Sequence, residues 1–171
     1  MEKLPKLAEL FGELPVKENE LQVLLNQNPK PEWVLVHPIL KIKYMSIERV
    51  EYLLSAIFVL WHVEIKSCQL IGNSVVVIVR LYYRNPIDGT MLWQDGIGAS
   101  PLQTDKGSGA IDFNNLKSGA VMMAAPAAES FAIKDAAEKI GKLFGKDLNR
   151  KEEISYNSLA GRFNLENPET R

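Results

Sequence analysis

The chain has 171 residues, of which 46% are hydrophobic, which suits a single domain with one closed core and loose ends. Its net charge of -1 and pI of about 6.2 run against the rule that nucleic-acid-binding domains are basic. No apolar run approaches the roughly 20 residues of a membrane span, and the acidic, proline-broken start is unlike a secretory signal, so a soluble, cytoplasmic protein is expected.

Charge is spread unevenly. Residues 33–84 carry six Lys/Arg against three acids and 116–151 carry seven against four, while 1–32, 85–115 and 152–171 are each net acidic. The overall balance therefore conceals two basic blocks that the fold can gather into one face. The single cysteine, Cys68, has no internal disulfide partner and reads as buried filler in a strand. His37 and His62 stand too far apart to show zinc-site spacing.

In chain order, 4–11 and 18–26 show short helical periodicity cut by Pro5, Pro15, Pro29 and Pro31, which makes 1–32 an N-terminal arm. Residues 33–40 look extended. Ser46 is a good N-cap, and Ile47, Val50, Leu53, Leu54, Ile57 and Phe58 recur at helical steps, so a helix is predicted over 46–59. Three strands follow at 61–71, 74–84 and 90–97, separated by Gly72-Asn73 and by the turn-forming 85–89, as in an antiparallel meander. Gly96, Gly98, Gly107 and Gly109 suggest a mobile loop reaching to about residue 115. Helices are expected at 115–123 and 127–144, parted at Pro126, with Gly145 as the C-cap and a loosely held tail at 152–171. The predicted class is α+β: a helix, a three-stranded antiparallel meander and a long C-terminal helix, forming a core domain at 33–151.

Candidate sites come from the basic blocks. Arg80 and Arg84 share one strand face with Tyr82 between them, and guanidinium groups flanking an aromatic ring suit sequence-tolerant single-strand binding. A plain solvent-exposed strand face explains the same pattern. Lys41 and Lys43, next to Tyr44, fall on one face if extended, either as a track for a phosphate backbone or as lysines guarding an edge strand. Lys134, Lys139 and Lys142 are mixed with Asp135 and Glu138, so the last helix is either a phosphate contact or a solvated, ion-paired face. Trp33, Trp61 and Trp93 each abut an apolar strand, which favours packing over base stacking. No phosphate loop or dinucleotide fingerprint is present, which argues against ATP use and against a RecA-type recombinase, and no cofactor is implied. Glu64, Asp88, Asp95 and Asp105 raise the alternative of a metal-dependent nuclease, but their spacing follows no pattern and Asp88 has a turn role.

The order of motifs across 44–145 carries a resemblance. A helix ending Ala-Ile-Phe leads to Trp-His-Val-Glu-Ile, a VIVRLYYR strand, an Asp-Gly-Thr turn, Gln-Asp-Gly-Ile-Gly-Ala, and finally Ala-Ile-Lys-Asp-Ala-Ala-Glu-Lys-Ile-Gly-Lys-Leu-Phe-Gly. Together these segments resemble the Rad fifty-two superfamily of single-strand annealing proteins, which includes the phage Erf, Sak and Red beta-like recombinases. The resemblance implies a β-β-β-α core assembled as a homo-oligomeric ring or filament. It also implies ATP-independent annealing of single-stranded DNA without covalent chemistry, in the host cytoplasm of a bacteriophage or prophage, alongside a phage exonuclease or a single-strand-binding protein. Carried over by position, the resemblance puts Tyr44 with Lys43 or Lys41, Arg84, Lys139 and Lys142 at DNA-contacting places. Glu138, where eukaryotic members look basic, and the segment between Ala99 and Pro126 depart from the family pattern. An assembly or protein-binding module without DNA activity is the competing class.

Overall fold

The structure is a computed structural model that describes residues 14–105, 107 and 113–151. The helix expected at 4–11, the tail at 152–171 and part of the glycine-rich connection lie outside the described residues. The helices are α1 (Leu14–Leu25), α2 (Ile47–Phe58) and α3 (Ala120–Glu138); the strands are β1 (Val34–Val36), β2 (Lys43–Met45), β3 (Trp61–Ile71), β4 (Ser74–Arg84) and β5 (Met91–Pro101). Short 3-10 turns lie at Pro31–Trp33, Phe113–Asn115 and Lys142–Phe144. The class is α+β, with β3-β4-β5 as an antiparallel sheet followed by α3, and with β1-β2 as a separate hairpin.

Ser46 caps α2 as its sequence requires, its Oγ accepting from Arg49 N at 3.4 Å. Val50, Leu53, Leu54 and Phe58 form the buried stripe. The helix stops at Val59, whose φ of 60° and ψ of -54°, with Leu60 N donating to Phe58 O at 2.6 Å, describe a tight γ-turn that a β-branched residue rarely adopts. That turn swings the chain straight into β3.

Period-two alternation in β4 divides the sheet into two faces. Val75, Val77, Val79, Leu81 and Tyr83 are all buried beneath the helices, with Phe58 packed against Tyr83 at 4.6 Å between ring centroids. The alternate residues Val76, Ile78, Arg80, Tyr82 and Arg84 lie on the other face, which no described element covers. α3 lies over β5 and β4, while α2 reaches β4 and β3.

Two glycines expected in a loop are instead buried inside β5. A Cβ on Gly96 would collide with Ala132 O, and one on Gly98 with Ala128 O and Ala132 N. Ala120, Ala124, Ala128, Ala132 and Ala136 supply the facing stripe, so hydrogen and methyl meet across the layers and helix and strand approach at backbone distance. The third strand consequently runs to Pro101 rather than stopping at 97. Pro126 does not divide the last helix either. It lies within α3, exposed like Met122 one turn earlier, so the carbonyl it deprives of a donor faces water.

The last helix ends at Glu138, short of the expected residue 144. At Gly141 the chain passes so close to the end of α1 that a Cβ would strike Leu25 O, so the N-terminal helix packs on its own domain. Cys68 was expected to be buried, but it is exposed. It lies on the inner face of the edge strand β3, paired with Val77, beyond the reach of α2.

Candidate nucleic-acid interface

Cross-strand register builds the open face in rows. His62, Tyr82 and Trp93 stand opposite one another across the three strands, and the next row is Glu64, Arg80 and Asp95. The His62 and Tyr82 rings stack at 4.7 Å with 14° between planes. Trp93 is 51% exposed, and the Arg80 guanidinium carbon lies 3.9 Å from its ring centroid. Sequence reasoning assigned Trp93 to packing. Its pairing with Tyr82 across a two-sided strand is what puts the indole outside, and counting from the Asn85–Gly89 turn is the signal that could have found it.

The cations on this face are not all free. Arg80 donates to both oxygens of Asp95, Nε at 2.7 Å and Nη2 at 2.8 Å. This fork raises the guanidinium pKa and holds the Asp95 carboxyl below its ordinary value. Lys66 Nζ donates to Glu64 at 3.2 Å and Tyr82 OH donates to the same carboxylate at 3.0 Å, and these bonds lower the Glu64 pKa. Arg84 extends over the Gly89 turn at the end of the sheet and forms no ion pair among the described residues. Three cations therefore stand among two carboxylates, and three aromatic rings are arranged in a line.

The remaining sequence candidates do not join this surface within one chain. Lys41 and Lys43 are exposed on the β1-β2 hairpin, with Lys41 at φ 57° in its turn. Tyr44, half-buried at the hairpin base, lies 5.5 Å from Lys134 Nζ, which is also 4.7 Å from the Phe131 ring centroid. Burial lowers the Lys134 pKa, opposed by Glu138 and Glu48, and burial raises that of Glu138. This group belongs to the helix layer, with the sheet between it and the arginines. Lys139 lies at the β5 edge, donating to Asp95 O and to Asp135 at 2.9 Å. Lys142 is displaced from its expected helical position: it lies in the 3-10 turn after α3, its side chain only 11% exposed and 3.4 Å from Asp147.

Among the described residues, no group of three or more His, Cys, Asp or Glu is placed to hold a metal ion. Three of the four carboxylates named for a nuclease are engaged: Asp88 accepts from Thr90 N and Oγ1 within its turn, Asp95 serves Arg80, and Glu64 serves Lys66 and Tyr82, while Asp105 is exposed beyond the end of β5. No helix among the described residues is long and apolar enough to cross a membrane. No protein-family model matches the chain, and no curated protein matches its sequence, so a functional reading rests on these residues and their geometry.

Proposed function

We propose that the protein binds single-stranded DNA on the open face of its sheet and anneals complementary strands without nucleotide fuel, several copies acting in series. The observation that carries this reading is the uncovered line of His62, Tyr82 and Trp93 beside Arg80 and Arg84. Aromatic faces accept any base, and neighbouring cations neutralise the backbone and release its counterions. With Arg80 and Lys66 partly neutralised by carboxylates, one copy holds a strand weakly. Adjacent copies raise affinity through effective concentration, with Lys41, Lys43, Tyr44, Lys134 and Lys139 extending the track from neighbouring subunits. Pairing of complementary strands is itself downhill, so the protein need only gather and align them.

The test is binding of fluorescent oligonucleotides of unrelated sequence across a salt series, followed by annealing of complementary strands without ATP. Salt-sensitive, sequence-tolerant binding that Trp93→Ala and Arg84→Ala both weaken supports the reading. Binding that ignores salt, or wild-type protein that leaves the annealing rate unchanged, overturns it. A second reading, an assembly or protein-binding module, is favoured by the apolar far half of the same face, where Ile78 pairs with the exposed Ile97. It predicts self-association without oligonucleotide binding.

A further inference from the structure

The four sheet edges among the described residues are treated unequally. On β5, the outward groups of Asp95 and Ile97 are occupied, Lys139 donating to Asp95 O and Ile97 N donating to Asp135 Oδ2 at 3.0 Å. On β2, the Asn149 amide serves both Lys43 groups, accepting from N at 2.8 Å and donating to O at 2.7 Å. The other two edges have no such cover among the described residues. The Asp95 and Ile97 bonds fix which way each strand's groups point, and through the register they turn those of Val63, Ile65, Cys68 and Leu70 outward on β3. The same alternation from Lys43 turns those of Val36 outward on β1.

Both uncovered edges also carry exposed apolar side chains. Leu35, Val36, Ile39, Leu40 and Ile42 crowd the β1-β2 hairpin, and Ile39 is 82% exposed. This tip is held in shape: His37 Nδ1 accepts from Ile39 N at 3.3 Å and Leu40 N at 3.1 Å, while His37 N donates to Ile42 O at 2.8 Å. On β3, Ile65 and Leu70 are exposed on the inner face where α2 stops short. Beside them runs the flank of α3 opposite Asp135 and Lys139, which bears the exposed Val121 and, two turns on, Glu129. Edge strands left unpaired are normally guarded by charge. The bulge at Lys66 guards the middle of β3, but Ser67–Ile71 beyond it carry no charged residue.

We infer that the β1-β2 hairpin of one copy docks on the outer half of β3 of the next, β1 adding to the free edge and the hairpin's apolar tip covering the shelf between β3 and α3. Charge selects a second copy as the occupant. The hairpin brings Lys41 and Lys43 with no acid between residues 33 and 45, whereas β3 from Ser67 onward and α3 as far as Ile133 offer Glu129 and no cation. Two different patches meet, so the contact is heterologous and repeats from copy to copy into a ring or filament. The inference rests on the self-association part of the proposed function and is independent of DNA.

The single native cysteine lies on the receiving edge, which permits a direct test on the full chain. A Val36→Cys variant, treated with a short bismaleimide, should give a ladder of dimers, trimers and longer products on a denaturing gel. The same variant carrying Cys68→Ser should give no cross-linked product, because position 36 then faces no second cysteine. Light scattering of Ile39→Asp/Leu40→Asp should fall to the single-chain mass of 19.2 kDa, with circular dichroism showing the fold retained. Oligomers by light scattering without a ladder, or dimers cross-linked through Cys68 alone in the wild type, overturn this contact but leave self-association standing. A wild-type protein that scatters as a monomer at every concentration overturns both.

Discussion

The two faces of β4 are built from alternating residues of one eleven-residue strand, yet they are specified by different physics. The inner face is fixed by shape: Val75 to Tyr83 at every second position fill the space under the helices, and next to them Gly96 and Gly98 are required because α3 leaves no room for a methyl. The open face is fixed by pairing, through the Arg80–Asp95 fork, the Tyr82–Glu64 bond and the ring contacts. A strand whose two sides answer to different demands can alter its surface chemistry without disturbing its core.

The sharpest way to break that separation is Gly98→Val. Its side chain collides with Ala128 O and Ala132 N, and backbone cannot yield as a flexible side chain does. A loss of more than about 3 kcal/mol is expected, read as a collapse of the urea midpoint or failure to fold. Val79→Ala, on the same face and fully buried, removes two methyls and should cost about 2 kcal/mol with no change in oligonucleotide affinity beyond that due to unfolding. On the open face the order reverses. Arg80→Ala should leave the urea midpoint nearly unchanged, because its partner is half-exposed, and should reduce the salt slope of oligonucleotide binding by about one.

The smallest expected effect is that of Asp95→Asn, which frees the guanidinium and should tighten oligonucleotide binding. Its pH signature follows from the fork. Arg80 holds the folded-state pKa of Asp95 below the ordinary 3.8, so the pair's contribution to stability is complete above that value and is lost as pH falls through the lower folded value. Wild type and Asp95→Asn should therefore show parallel stability profiles above about pH 5 and converge only in acid, as checked by thermal unfolding across pH.

Much of this architecture is readable from local signals. Ser46 and the apolar stripe after it give α2 to within a residue at each end, and Gly72-Asn73 with the Asn85–Gly89 turn delimits β3 and β4 as found. The misreadings share one cause. Gly96 and Gly98 look like chain breakers because their justification, the Ala128–Ala132 backbone, lies thirty residues downstream. Pro126 looks like a stop because nothing local reveals that its unserved carbonyl faces water. At the candidate interface, alternation correctly placed Arg80, Tyr82 and Arg84 together on one face. It could not reveal that Asp95 engages Arg80 or that Asp147 engages Lys142, since both depend on where separate segments come to rest.

Trp93 carries a practical consequence. Of the chain's three tryptophans, Trp33 lies against Arg49 and Trp61 donates to Ser55, both half-buried, whereas the third looks into water beneath a guanidinium. Its emission should be quenched or shifted by whatever settles on the sheet, while the other two provide a steady background. The protein thus contains a native optical probe of its own open surface, readable without attaching a dye.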